Sequence, residues 1–284
     1  MELHDDDKPI GRVLTRREIL KLFGGASAGL IAGAGFVRMV AAQSGTATPA
    51  ITGTAVPTCV VKPALTEGPY FVDEMLNRSD IRIDPSDDSV QEGALLKLIY
   101  HITNVTDGIC EPLEGVQVDV WHCNAEGWYS DVADRSFDTS GQQWLRGYQV
   151  TDEDGIAEFT TIYPGWYPGR AVHIHFKMRT DPGSNVGYEF TSQLFFDEDL
   201  TDMVHAEEPY AAKGYRNVLN ENDGIFQGSD GLLTLDVVEN PDEEEGGYIA
   251  NFYIGLDLNA ETSEAGFGGP SGGGPGGGQP PGRP

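Results

Sequence analysis

His173-Ile174-His175 is the first place in the chain where residue types and spacing suggest chemistry. In a β-strand, residues i and i+2 face the same side. Two imidazoles placed this way can chelate a metal ion. The same tripeptide also arises where two histidines pack in a core or sit on a surface. Its surroundings favour the chelate. Tyr167 follows Pro164-Gly165-Trp166, and Tyr129 follows Gly127-Trp128. Each tyrosine sits on a glycine-containing turn, where a side chain can be aimed away from a sheet. Phenolates are hard oxygen donors, and a bound cation lowers a phenol pKa far below its usual ~10. Two phenolates and two neutral imidazoles suit Fe(III) better than Zn(II). They also differ from the two-histidine, one-carboxylate set of Fe(II) oxygenases.

Other residues have plainer readings. His122 shares a strand face with Val118 and Val120, so it reads as a satisfied core histidine. His101 lies in an apolar strand and reads the same way. His205 falls in an acidic segment and is expected on the surface, without function. Tyr163 lies four residues before Tyr167 and could also bind metal, but the Pro-Gly-x-Tyr pattern favours Tyr167. Trp128 and Trp166 each precede a candidate ligand. They are either core packing or walls for an aromatic ring. Arg135, Arg146 and Arg179 could add positive charge to the pocket if the fold brings them in. The run Asp242-Glu243-Glu244-Glu245 reads as a solvated loop.

These side chains need strands to position them. Apolar/polar alternation or β-rich composition marks 95–102, 116–122, 157–163, 173–178, 192–196 and 248–254. With Gly, Pro and Asp turns between them, they predict an all-β antiparallel sandwich. Helical signals are few, at 199–206 and 208–222.

The chain has 284 residues and a net charge of −27, so it can build a sizeable core but lacks the basic patch that nucleic acid requires. Residues 1–42 read as an export signal. A twin arginine (Arg16-Arg17) precedes a Gly/Ala-rich apolar run, and small residues before Gln43 offer a cleavage site. The arginine pair points to the Tat route and so to a periplasmic or extracellular protein, with no membrane span once the signal is cleaved. Residues 43–58 read as a flexible linker. The folded domain is expected over 59–259. The tail, 260–284, is expected to be disordered, since residues 266–284 hold ten Gly and five Pro. Of three cysteines, Cys59 is expected to bridge to Cys123 or Cys110. A direct Cys110–Cys123 bridge would span opposite ends of a hairpin.

Five ordered motifs resemble the intradiol ring-cleavage dioxygenases, which include catechol 1,2-dioxygenases and protocatechuate 3,4-dioxygenases. They are Glu67-Gly68-Pro69-Tyr70-Phe71, Val118-Asp119-Val120-Trp121-His122-Cys123-Asn124, Gly127-Trp128-Tyr129-Ser130, Tyr163-Pro164-Gly165-Trp166-Tyr167 and Arg170-Ala171-Val172-His173-Ile174-His175-Phe176. The resemblance implies a transthyretin-like β-sandwich and a mononuclear Fe(III) site. Tyr129, Tyr167, His173 and His175 would be the ligands, with Tyr167 the one that leaves as substrate binds. Arg170 would stand beside the substrate and Gln193 behind the ligands. Pro69 and Tyr70, with Trp128 and Trp166, would line the pocket. The implied reaction opens a catechol ring between its hydroxyls with O2, giving a cis,cis-muconate-type diacid. Two departures fall on the pocket rim, where substrate identity is set: a short spacing from Tyr167 to His173, and Ala171-Val172 in place of Pro-Ala. The chain looks most like the small exported members, and homo-oligomers are common in the family. Readings from other classes are a non-catalytic transthyretin-like binding module, a zinc hydrolase using His173 and His175, and an extracellular carbohydrate-binding sandwich.

Overall fold

The structure is a computed structural model that describes residues 60–183, 187–242 and 246–258. Among these residues, nine strands form two sheets. The first contains β1 (Leu95–Thr106), β2 (Ile109–Pro112), β5 (Ile156–Ile162), β8 (Asp236–Glu239) and β9 (Tyr248–Leu256). The second contains β3 (Gln117–Trp121), β4 (Arg146–Val150), β6 (His173–Arg179) and β7 (Glu189–Phe195), in the order β4-β3-β6-β7.

Alternation explains why β1 is a strand. Leu96, Leu98, Tyr100 and Ile102 point inward and are almost wholly buried. They pack against Val118, Val120, Ile174, Phe176 and Leu194 of the second sheet in one apolar cluster. The Tyr100 ring crosses the layer to Phe176 at 5.6 Å between centroids. The β1–β2 hairpin turns at Asp107-Gly108, both with positive φ (52° and 80°), the conformation that a two-residue hairpin turn needs. Pairing is antiparallel throughout both sheets except between β1 and β9, which run parallel.

Helix is scarce among the described residues, as expected. α1 spans Glu198–His205, capped by Asp197, whose carboxylate accepts from Leu200 N. The region 208–222 carries only two 3-10 turns, at Tyr210–Lys213 and Asn220–Asn222. A further short helix, α2 (Gly224–Gly228), is capped by Asp223. Among the described residues, no helix is long and apolar enough to cross a membrane.

Residues 63–78 strap the outer face of the second sheet. Leu65 N donates to Thr191 O, Ser192 Oγ to Pro63 O and Tyr148 N to Leu76 O. The strap supplies partners for the outward cations of β6. Lys177 pairs with Glu67 and Glu189 and lies 4.2 Å above the Phe71 ring. Arg179 pairs with Asp73 and Asp119, both at 2.8 Å.

Of the two partners expected for Cys59, Cys123 is excluded and Cys110 remains. Cys123 is a buried free thiol whose S–H donates to Gly165 O at 3.4 Å, and Cys110 is the disulfide-bonded cysteine. Cys59, the export signal (1–42), the linker (43–58) and the tail (260–284) lie outside the described residues, as do Glu243, Glu244 and Glu245.

Candidate metal centre

β6 opens at His173, and the pleat turns His173 and His175 to the same outward side. Ile174 and Phe176 turn to the core and fix the strand's register. β3 and β7 flank β6, placing Trp121 and Gln193 opposite His175. The tyrosines come from two loops at the same end of the sheet. Tyr129 lies between β3 and β4, and Tyr167 between β5 and β6.

Two glycines let those loops touch. A Cβ on Gly127, whose φ is +79°, would lie 2.1 Å from Trp166 O. A Cβ on Gly165 would lie 2.4 Å from the carbonyl oxygens of Asn124 and Ala125. Gly165 N donates to Asn124 O across the contact. Held together this way, the Tyr129 and Tyr167 rings meet edge to face at 5.8 Å.

Four donor atoms converge. Nε2 of His173 lies 3.0 Å from Nε2 of His175, 3.1 Å from Oη of Tyr167 and 3.5 Å from Oη of Tyr129. Two donors each about 2.0–2.1 Å from one ion sit about 2.8–3.4 Å apart for angles from square to tetrahedral. The 3.0 and 3.1 Å spacings fit that range, and the 3.5 Å spacing to Tyr129 lies just beyond it. The protonation pattern fits as well. His173 Nδ1 donates to Ala171 O at 2.7 Å, which leaves the Nε2 lone pair facing the other donors. His175 Nδ1 is buried without a partner. Its ring is held by packing, stacked on Trp121 at 5.0 Å and 9° with Gly68 against its edge.

The local field disfavours protons on nitrogen. Burial first, and then the Arg170 charge, hold His173 well below the ordinary imidazole range. Burial and the neighbouring His173 do the same to His175. Burial pushes both phenols up, the neighbouring Tyr167 adding to the effect on Tyr129 and Arg170 opposing it at Tyr167. The site therefore offers two neutral imidazoles and two phenols that a cation must help to ionise. Among the described residues, no group of three His, Cys, Asp or Glu could hold a metal. A centre here depends on its tyrosines.

Arg170 reaches the site from the loop. Its Nη2 donates to Gln193 Oε1 at 2.6 Å and its Nε to Asp223 Oδ2 at 2.8 Å. Gln193 donates in turn to Thr66 O. Tyr70 stacks on Tyr129 at 4.6 Å, and its hydroxyl donates to Asp134. Pro69 is exposed on the strap beside it. Trp166 is half-buried under Lys213 and donates to Gly214 O. Trp128 is 42% exposed and stacks on Phe137, so it is no core residue.

Among the described residues, the other histidines and the three arginines considered for the pocket have the following places. His122 is buried between Cys123 O and Thr161 Oγ1, and His101 bonds Asn251. Tyr163 faces the core and bonds Thr201. His205 corrects the surface expectation. It closes the buried face of α1, stacking on Tyr210 and bonding Pro164 O at 3.0 Å. Arg135 is exposed, and Arg179 is taken up by Asp73 and Asp119. Arg146 is 2% exposed and bonds Ser130 and the Tyr70 carbonyl, so it braces the Tyr129 loop from behind. Trp121 and Asp223 were not singled out from the sequence. Trp121 could have been found from its alternation with Asp119, whereas Asp223 carries no local signal.

A β-sandwich with a two-histidine, two-tyrosine cluster at one sheet end defines a narrow class of protein. A family model described as "Dioxygenase" matches residues 66–216. Catechol 1,2-dioxygenase of Candida albicans is 28% identical over 184 residues, covering 57% of this chain and 52% of that protein. Catechol 1,2-dioxygenase 1 of Acinetobacter lwoffii is 30% identical over 152 residues, 45% of each chain. An intradiol ring-cleavage dioxygenase structure from Tetranychus urticae superimposes with a TM-score of 0.60 at 27% identity, covering 72% of this chain and 98% of that one. The chain belongs to the intradiol ring-cleavage dioxygenase family. It spans about half the length of the curated relatives it matches.

Proposed function

We propose that this chain is a dioxygenase that opens the ring of a catechol between its two hydroxyls, taking both atoms of O2 into a cis,cis-muconate-type diacid. The observation that carries the reading is the convergence of Tyr129, Tyr167, His173 and His175, with donor atoms 3.0–3.5 Å from His173 Nε2. These four residues would hold one non-haem Fe(III). When bound, the ion supplies Lewis acidity, acidifies the catechol and gives it a template.

The chain's own groups do the rest. Oη of Tyr167, on a residue that is only half-buried where Tyr129 is almost wholly buried, accepts a catechol proton as a general base. Tyr129 is almost wholly buried, braced by Tyr70 and by Arg146 behind its loop, and stays in place. Arg170, fixed at Nε and Nη2, presents a preorganised positive charge toward the negative charge that develops on the substrate. The Trp121 and Tyr70 rings wall the site against water. Residues 1–42 would direct export through the Tat route, which carries folded proteins, so that the ion is loaded before export.

The test is a visible spectrum of the iron-loaded protein, without oxygen and then with catechol, followed by oxygen uptake. A broad phenolate-to-iron band that shifts with catechol, and one O2 consumed per catechol, are the expected results. A protein that takes up iron without colour, or oxidises catechol without incorporating O2, would remove the reading.

A further inference from the structure

Asp223 is 2% exposed and lies 50 residues beyond His173, on the far side of β7 and α1. Its carboxylate has two separate sets of partners. Oδ1 accepts from Ile225 N at 2.8 Å and Phe226 N at 3.0 Å, capping α2. Oδ2 accepts from Arg170 Nε at 2.8 Å and from Ala171 N at 2.8 Å. The four bonds use the acceptor capacity of an ionised carboxylate. Burial alone would raise this carboxyl, but the Arg170 charge and the backbone bonds hold it below the ordinary carboxylate range.

Oδ2 grips two consecutive residues, and each leads to the centre by a different route. Arg170 passes its other bond to Gln193, which stands opposite His175. Ala171 turns its carbonyl to His173 Nδ1 at 2.7 Å. That bond sets the ring's tautomer and leaves Nε2 free to bind metal. Partners of this kind orient a ligand and raise its basicity, and losing one costs about 10- to 100-fold in metal affinity.

We infer that Asp223 is a positioning residue of the centre: through Ala171 it aims His173, and through Arg170 it fixes the charge beside the substrate. The inference rests on the metal-centre reading above. It joins α2 to the centre, so the short helix serves as a fixed post for the 167–173 loop.

Asp223→Asn separates this role from the cap. An amide oxygen can still cap α2, but its NH2 faces two donors and can accept from neither. Asp223→Ser is the second variant, since serine caps a helix well and leaves Arg170 Nε and Ala171 N without their carboxylate partner. Iron affinity would be measured by competition with a chelator, alongside the melting temperature of the metal-free proteins and the visible band with catechol bound anaerobically. The expected result is an affinity lower by about 10- to 100-fold and a displaced catechol band, in a variant that still melts cooperatively close to the parent. Parent-like iron affinity and an unmoved band in either folded variant overturn the inference and leave the function reading standing. A parent protein that binds no iron overturns the reading itself, and this inference with it.

Discussion

The two tyrosines are not equivalent. Tyr129 is almost wholly buried, stacked on Tyr70, and its loop is tied down by Arg146. Tyr167 is half-buried, and its ring touches only His173 and Tyr129 among the aromatic partners. Under the function proposed above, Tyr167 would therefore be the cheaper of the two for a substrate to displace. Tyr167→Phe is expected to bind iron and keep a weakened visible band from Tyr129. Its kcat should fall by about 10²–10⁴-fold, the usual worth of a general base. Tyr129→Phe should lose iron more readily than Tyr167→Phe. Equal iron loss in the two variants, measured by metal analysis after gel filtration, would contradict the division of roles. Most of this set was legible in the sequence, because i, i+2 histidines and turn-borne tyrosines keep their signature without the fold. Arg146 was not. A buried arginine bonded to carbonyls looks, in sequence, the same as one that lines a pocket.

At the scale of elements, strands showed in the sequence in proportion to what they bury. β1, β5 and β9 alternate over seven residues or more, and every second side chain reaches the core. β2 and β8 have four residues each, with no fully buried side chain in either, so they left no pattern to read. The parallel β1–β9 pair joins Leu96 to Tyr248, a register set by packing across the whole chain and by no local signal. α2 is only five residues long and depends on its Asp223 cap. The loop contact beneath the centre is also an element-scale device. Gly127 holds a positive φ, and both it and Gly165 face backbone oxygen at 2.1–2.4 Å from a notional Cβ. A methyl there cannot be relieved by a side-chain rotation, so the loops must part. Gly165→Ala is expected to destabilise the fold by about 1–3 kcal/mol, the usual cost of overpacking, and to weaken the tyrosinate band. Gly141→Ala, where a Cβ meets nothing within 4 Å but φ is +81°, is the control. It carries backbone strain alone and should leave the band unchanged. A full-strength band in Gly165→Ala would show that the loop contact does not set the tyrosine spacing.

The whole molecule carries 45 acidic against 18 basic side chains, and its response to acid sets two effects against each other. Lowering the pH neutralises carboxylates and relieves self-repulsion, which favours the fold. The buried histidines oppose it. Burial pushes His122 down to about 4, with only the Cys123 carbonyl working the other way, and His205 likewise to about 4. The unfolded chain takes up these protons near pH 6.5, so each histidine gives stability that is complete above about pH 6.5 and is lost as the pH falls toward 4. Between pH 7 and pH 5, the loss is about 2 kcal/mol for each such group. Salt separates the two effects. At about 0.1 M ionic strength the screening length is about 10 Å, which damps surface repulsion but leaves a desolvated imidazole untouched. Urea unfolding of the metal-free protein at that ionic strength is expected to show lower stability at pH 5 than at pH 7. His122→Asn removes one titrating ring and also its bond to Thr161, so it should be less stable at pH 7 yet lose about 2 kcal/mol less on going to pH 5. An unchanged pH slope in His122→Asn would mean that its neutral, hydrogen-bonded state does not govern the acid limb. The steepness would then belong to the donor histidines, which should respond to iron loading where His122 does not.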